Sequence, residues 1–163
     1  MKIMLFGASG RTGQQVLLQA LALGHDVTAV VRQPGNFRLA YDRLTVTTGD
    51  ALRPESFASA LVGQDVVISV LGVTGLYNSL RPMTFHANTA HGIIAWMKKH
   101  RVARFIGVTS VGVLDDPATP LWYRAIVKPL LRHKYADMRR MEQLVRGSGL
   151  DWTGRSCGSS TVR

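Results

Sequence analysis

Short apolar segments alternate with longer amphipathic segments along the first 110 residues of the chain. Continuous apolar or β-branched runs are typical of strands covered on both faces, and they predict strands at residues 2–6, 26–31, 44–48, 66–71 and 104–109. The intervening segments predict helices at residues 12–23 and 85–100, and a short helix that begins at Pro54 and ends near Gly63. This alternation predicts βαβ units and a parallel sheet.

The pattern becomes less regular after Ser110. It predicts helices at 122–131 and 135–146 and a last strand that begins at Leu150 and does not continue beyond Thr153. We therefore divide the chain into a domain at 1–153 and an irregular tail at 154–163. The predicted fold class is α/β: a doubly wound parallel sheet in a three-layer αβα arrangement, with a truncated or altered C-terminal end.

Length and composition indicate one globular domain. The chain has 163 residues, of which 46% are hydrophobic and 18% charged, and these values exclude an intrinsically disordered chain. It contains no apolar stretch of about 18 residues and no recognisable export leader, so we expect a cytoplasmic protein without a membrane partner. The single cysteine, Cys157, excludes an intramolecular disulfide and a cysteine-built zinc site, and we expect no bound metal.

The chain is strongly basic, with 20 Lys and Arg against 10 Asp and Glu and a formal net charge of +10. Such an excess suits nucleic acid, acidic lipid or a phosphorylated small molecule. Fourteen of the 20 basic residues lie in residues 81–163, without interleaved aromatic residues or a nucleic-acid recognition motif. We therefore expect most of them on solvated surface and no nucleic-acid partner.

Three glycines mark the junction of the first predicted strand and the first predicted helix, in the sequence Gly7-Ala-Ser-Gly10-Arg-Thr-Gly13. In a dinucleotide-binding loop Gly7 permits the tight turn, Gly10 lets the backbone approach the pyrophosphate, and Gly13 lets the helix pack on the sheet. The helix N-terminus then offers free N–H groups to the anion. This context favours a Rossmann-type cofactor site over a purely structural turn.

The end of the second predicted strand indicates which dinucleotide is preferred. NAD sites place an Asp or Glu there for the ribose 2′-hydroxyl, whereas this chain has Arg32. A guanidinium suits a 2′-phosphate, and Arg11 in the glycine loop could add a second positive charge. The pattern favours NADP, with NADPH preferred over NADH, although both arginines could instead be solvated loop residues.

Other polar and small residues follow the remaining predicted strands, where ligands of open α/β sheets bind. Asp50 could accept a hydrogen bond from the adenine amino group, or it could cap the turn before Pro54. Leu71 and Gly72 end the fourth strand. Ser110 could bond a substrate carbonyl or the nicotinamide amide, or it could be an ordinary turn serine.

Taken in order, Gly-Ala-Ser-Gly-Arg-Thr-Gly, Val-Thr-Ala-Val-Val-Arg, Thr-Gly-Asp, Val-Thr-Ser and Ser-Gly-Leu-Asp-Trp-Thr resemble the atypical short-chain dehydrogenase/reductases. Within these, the chain is most similar to the NmrA-like NAD(P)H-binding proteins and the biliverdin-IXβ/flavin reductase type. The resemblance implies that the pyrophosphate is held by Gly7, Ser9, Gly10, Arg11, Thr12 and Gly13. It also implies Arg32 at the 2′-phosphate, Asp50 at the adenine, Leu71 and Gly72 near the ribose, and Ser110 near the nicotinamide.

The chain departs from this family at two places. Many short-chain dehydrogenases follow the serine with a Tyr-x-x-x-Lys pair that supplies a proton, whereas here Tyr135 is followed by Arg139. Tyr135 is therefore either catalytic or an ordinary helix-surface residue. After Thr153 the family continues as an apolar strand into an Arg-Pro turn, and this chain does not.

The function expected from these features is NADPH-dependent hydride transfer to a planar conjugated acceptor such as a flavin or quinone. The loops at 72–84 and 111–121 would shape the acceptor pocket. The alternative is a non-enzymatic NADP(H)-binding redox sensor of the NmrA type. The expected partner is a small-molecule acceptor, and the expected assembly is a monomer or weak homodimer.

Overall fold

The computed structural model of the protein describes residues 1–73, 80–110 and 122–157. Its strands are β1 (Lys2–Phe6), β2 (Asp26–Val31), β3 (Leu44–Thr48), β4 (Val66–Ser69), β5 (Arg104–Ser110) and β6 (Asp151–Cys157). They form one parallel sheet in the order β3-β2-β1-β4-β5-β6. This order reverses direction between β1 and β4, so the predicted doubly wound α/β fold is confirmed.

Helices cover both faces of the sheet. The long ones are α1 (Arg11–Ala22), α2 (Phe85–Lys99) and α3 (Arg132–Arg146), and a π-helical segment (Tyr123–Val127) and a short helical segment (Lys128–Leu130) precede α3. Three 3-10 turns complete the described elements, at Pro34–Asn36, Pro54–Ser56 and Ala58–Leu61. No helix in these ranges is long and apolar enough to cross a membrane.

Alternate residues of β1 enter two different cores, as the period of a strand requires. Ile3 and Leu5 pack with Leu17 of α1 in one cluster. Met4 and Phe6 pack in the other cluster, which includes Ile93 of α2 and residues of α3. The sheet is therefore buried on both faces, and this accounts for the continuous apolar runs in its sequence.

The region from 54 to 63 differs from its prediction. It forms two 3-10 turns rather than one α-helix. Ser56 explains the first turn, because its Oγ donates to the Arg53 carbonyl at 2.6 Å and accepts the Asp50 N–H at 2.8 Å. A side chain that bonds nearby backbone in this way competes with helix formation.

The expected end of the last strand at Thr153 is wrong, because β6 runs to Cys157 and pairs with β5 along its whole length. A strand that adds to an existing edge gains a backbone ladder without an apolar run of its own. Arg104 reinforces the pair, since its guanidinium donates to Asp151 Oδ1 and Thr153 Oγ1, both at 2.6 Å. Residues 158–163 of the predicted tail lie outside the described residues, as do 74–79 and 111–121 of the loops expected to shape an acceptor pocket.

Candidate functional site

A cavity of about 280 Å³ lies at the carboxyl ends of the central strands. It is lined by Phe6, Gly7, Ser9, Gly10, Val30, Val31, Arg32, Gly49, Asp50, Ala51, Val70, Leu71, Gly72 and Phe85. The structure thus brings together most of the residues that the sequence assigns to the cofactor: Gly7, Ser9, Gly10, Arg32, Asp50, Leu71 and Gly72. Arg11, Thr12 and Gly13 follow directly in the first turn of α1 without lining the cavity.

The three glycines of the loop meet different surroundings. Gly7 has a φ of 85°, and a Cβ there would lie 2.8 Å from the Val70 carbonyl oxygen. A Cβ on Gly13 would overlap the Gly7 carbonyl. A Cβ on Gly10, by contrast, would meet only the Gly7 carbonyl oxygen, at 3.4 Å. The fold itself therefore requires glycine at positions 7 and 13, whereas at position 10 the space faces the cavity.

The N-terminus of α1 is open to an anion. Gly10 is the N-cap residue and provides no side-chain cap, and the first turn holds no acidic residue. Gln14 is the first residue whose N–H bonds the helix, to the Gly10 carbonyl at 2.9 Å. The Gly10 N–H donates to the Gly7 carbonyl at 3.0 Å, whereas the N–H groups of residues 11–13 and the positive end of the helix dipole are available to a phosphate.

Arg32 follows β2 directly, with an exposed side chain that lines the cavity. Among the described residues it has no ion-pair partner. Its position and free charge are those that a phosphate on the adenosine ribose would require.

Asp50 lines the cavity and also organises the turn after β3. Its Oδ1 accepts the Leu52 N–H at 3.0 Å, and its own N–H donates to Ser56 Oγ at 2.8 Å. The turn role expected from the sequence is therefore present. Its Oδ2 forms no hydrogen bond with the described residues. Asp50 could therefore bond a ligand through Oδ2 while Oδ1 stabilises the turn.

Of the two candidate catalytic residues, Tyr135 is not among the described residues that line the cavity. Ser110 ends β5, opposite Cys157 of β6. Tyr135 is only 4% exposed and packs with Met138 and Leu131. Its hydroxyl lies 2.6 Å from that of Tyr123. The interpretation of Tyr135 as a surface residue is therefore wrong, while a catalytic role for either residue stays a prediction.

A buried carboxylate next to this site was missed by the sequence analysis. Asp137 of α3 is fully buried and accepts the backbone N–H groups of His86 and Ala87, the second and third residues of α2. It also lies 2.9 Å from His86 Nδ1. Burial lowers the pKa of His86 below its usual value of 6.5, against the opposing effect of the hydrogen bond with Asp137. The only signal in the sequence is one acidic residue between apolar positions of a basic helix.

Solved structures with this architecture come from several bacteria. A Rossmann-fold NAD(P)-binding protein from Shigella flexneri has 24% identity and a TM-score of 0.67, with 94% of this chain and 64% of that chain covered. The anaerobilin reductase ChuY from Escherichia coli O157:H7 has 27% identity and a TM-score of 0.72, with coverages of 94% and 71%. A short-chain dehydrogenase/reductase from Veillonella parvula in complex with NADP has 19% identity and a TM-score of 0.75, with coverages of 94% and 67%.

The chain thus spans about two thirds of the length of these structures. The structures from Shigella flexneri and Veillonella parvula, both below 25% identity, show the shared fold. ChuY, at 27% identity, is similar in sequence as well. A family model described as NAD(P)H-binding matches residues 7–158. This range includes the glycine loop, every strand from β2 to β6 and all of the described cavity lining except Phe6. The chain therefore belongs to this NAD(P)H-binding family, as its resemblance to the atypical short-chain dehydrogenase/reductases implies.

Proposed function

We propose that the protein binds NADPH in this cavity and reduces a planar conjugated acceptor, such as a flavin, a quinone or a related pigment. The observation that carries the proposal is that Arg32 lines the same cavity as Gly10. NAD and NADP share the pyrophosphate that would lie at Gly10, and only NADP adds the 2′-phosphate that Arg32 would hold.

The residues fit the cofactor in their chemistry. Gly10 and the first turn of α1 would hold the pyrophosphate, with Ser9 and Thr12 beside it. Arg32, assisted by Arg11, would hold the 2′-phosphate. Assigned by the resemblance alone, Asp50 would bond the adenine, Leu71 and Gly72 would contact the ribose, and Ser110 would orient the nicotinamide. The bound cofactor would supply the hydride, and the protein's contribution is to bind and orient both reactants.

A reductase is the activity that the relatives favour, since one structure with 27% identity is named an anaerobilin reductase. The buried position of Tyr135 is consistent with a reductase that lacks a tyrosine proton donor at the cavity. The same observation also suits the second candidate, an NADP(H)-binding redox sensor without turnover. Oxidation of NADPH in the presence of flavin or quinone distinguishes the two, because a sensor binds NADPH without consuming it.

The remaining features of the proposal concern partners and location. We propose a small-molecule acceptor as the partner and a monomer or weak homodimer as the assembly, with no nucleic-acid or membrane partner. The cytoplasmic location expected from the sequence stays a prediction.

Cofactor discrimination tests the proposal. NADPH should bind at least about tenfold more tightly than NADH, because a charge-assisted bond to the 2′-phosphate contributes about 1.5–3 kcal/mol. Arg32→Ala should remove most of this difference in parallel fluorescence titrations. Arg38→Ala removes the same charge from an exposed residue outside the cavity lining, and it should preserve the difference. Equal affinities of the unmodified protein for NADPH and NADH would contradict the assignment.

A further inference from the structure

The N-terminus of α2 is capped by a residue from a different helix. Its own N-cap residue, Thr84, forms no side-chain cap. Asp137 of α3 instead accepts the His86 N–H on Oδ2 at 2.8 Å and the Ala87 N–H on Oδ1 at 3.1 Å. Asp137 thus satisfies two first-turn donors that would otherwise be buried without partners.

The side chain of His86 completes this contact. Its Nδ1 lies 2.9 Å from Asp137 Oδ2, and the side chains of His86 and Asp137 are 2% and 0% exposed. A carboxylate only accepts, so the neutral ring carries its proton on Nδ1 and donates it to Asp137. Nε2 is buried and has no hydrogen-bond partner among the described residues. Rotation of the ring would break the bond to Asp137, so the ring is fixed in one orientation.

Phe85 links this contact to the cavity. It is the first residue of α2, it lines the cavity, and its ring meets the His86 ring edge-on with centroids 5.4 Å apart. Further along α2, Gly92 packs directly against the ring of Pro54, in the turn that follows Asp50. Besides its core packing, the helix is therefore held at its beginning by Asp137 and in its middle by Pro54. The contact with Asp137 is the one nearest to Phe85.

We propose that Asp137 is a positioning residue for the dinucleotide site: by capping α2 together with His86, it holds Phe85 at the cavity wall and so sets the affinity for the cofactor without touching it. The identity of the ligand rests on the function proposed above. The competing interpretation is a cap that contributes to stability alone.

Asp137→Asn in the full chain separates the two interpretations, because the amide keeps the shape of the carboxylate but retains only one acceptor oxygen. The dissociation constants for NADPH and NADH should rise by the same factor, about fivefold or more, because the weakened cap no longer holds Phe85 at the cavity wall. The ratio between them should not change, in contrast to Arg32→Ala. Met141→Ala is the control: Met141 is a buried residue of α3 outside the cavity lining, so this variant should melt earlier with unchanged dissociation constants.

Coupling to Phe85 is the second measurement. Phe85→Ala should also weaken both cofactors, and adding Asp137→Asn to it should cause no further loss, because the effect of Asp137 passes through Phe85. Independent, multiplicative losses would overturn the proposal. It would also be overturned if Asp137→Asn lowered the melting temperature and left both dissociation constants unchanged.

A measurement on the protein without ligand tests the role of Asp137 separately from the proposed function. The NMR signals of the Phe85 ring should shift in Asp137→Asn and not in Met141→Ala. If the unmodified protein binds neither NADPH nor NADH, the proposed function fails, and the ring signals alone decide the positioning role. If Asp137→Asn does not fold, His86→Ala retains the carboxylate but removes the ring that contacts both Asp137 and Phe85. It undergoes the same binding measurements, with the same outcomes for and against.

Discussion

Gly7, Gly10 and Gly13 are glycines for different physical reasons. At Gly7 the positive φ and the nearby Val70 carbonyl exclude a side chain, and at Gly13 the carbonyl of Gly7 does so. At Gly10 the φ is −81° and the space beyond the Cα is open, so the protein alone would accept a side chain. Folding therefore does not require glycine at this position, whereas a pyrophosphate bound there would require it.

Gly10→Val should therefore separate binding from folding. The added side chain would occupy the place of the pyrophosphate, so NADPH binding should be lost in a fluorescence titration. The free energy of unfolding should fall by only about 1 kcal/mol, the cost of a poor N-cap residue. Ala22→Val, an exposed change at the other end of α1, is the control and should retain binding. A Gly10→Val protein that still binds NADPH normally would show that the loop is only a turn.

His86 predicts a pH dependence of stability. Its pKa is lowered in the folded protein, because burial outweighs the attraction of Asp137 and Lys134 opposes the charged form as well. Above about pH 6.5 the ring is neutral in the folded and in the unfolded protein, and its full contribution to the free energy of unfolding is present. As the pH falls from 6.5 toward the folded pKa, the unfolded chain binds a proton that the folded protein does not, so the free energy of unfolding decreases.

Urea unfolding between pH 7.5 and 5 measures this contribution. His86→Asn can still donate to Asp137 but does not titrate, so its free energy of unfolding should decrease less steeply with falling pH. The other histidines are common to both proteins and cancel in the comparison. Identical slopes for the two proteins would show that His86 titrates normally.

Among the secondary structure elements, the strands of the βαβ units were the most predictable. The bounds of β1, β2 and β3 agree with those expected, because buried parallel strands are continuous apolar runs between breakers. The last strand was underestimated, since Gly154–Cys157 pair with β5 through backbone atoms that no side-chain pattern records.

The residues of the candidate site also differ in how well the sequence predicts them. The glycine loop and Arg32 are local in sequence, and the turn after each strand places them at one edge of the sheet. The cap that Asp137 provides joins residues 51 positions apart, and it depends on how α3 packs against α2. Burial of a carboxylate by such packing leaves no periodic signal, so sequence alone did not identify it.

The close contact between α2 and the Pro54 turn predicts how a substitution at Gly92 of α2 changes stability. A Cβ on Gly92 would lie 2.5 Å from Pro54 Cγ, and the rigid proline ring cannot rotate away. Gly92→Ala should gain about 1 kcal/mol in helix propensity and lose about 1–3 kcal/mol to overpacking. The expected result in urea unfolding is a net loss of stability. His91→Ala, at an exposed neighbour, should change stability by no more than about 0.5 kcal/mol. A more stable Gly92→Ala protein would mean that α2 can move away from this turn.

The charge of the whole molecule is distributed unevenly with respect to the site. Residues 1–80, which supply nearly all of the cavity lining, carry six Lys and Arg against five Asp and Glu. The excess lies in residues 81–163, including the exposed Arg139 of α3. At physiological ionic strength the Debye length is about 8 Å, so distant exposed charges contribute little at the cavity. We therefore expect selection of the cofactor to depend on Arg32 and Arg11 rather than on the net charge of +10.

Salt and charge reversal test this conclusion together. The preference for NADPH over NADH should narrow as NaCl increases, because Arg32 is exposed and salt would screen its attraction for the 2′-phosphate. Arg139→Glu lowers the net charge from +10 to +8 without altering the cavity lining, so the ratio of the two dissociation constants should stay unchanged at each salt concentration. Arg32→Ala should flatten the salt dependence of that ratio. If Arg139→Glu instead reduced the preference as much as Arg32→Ala does, the field of the whole molecule would select the cofactor, and the local role of Arg32 would be wrong.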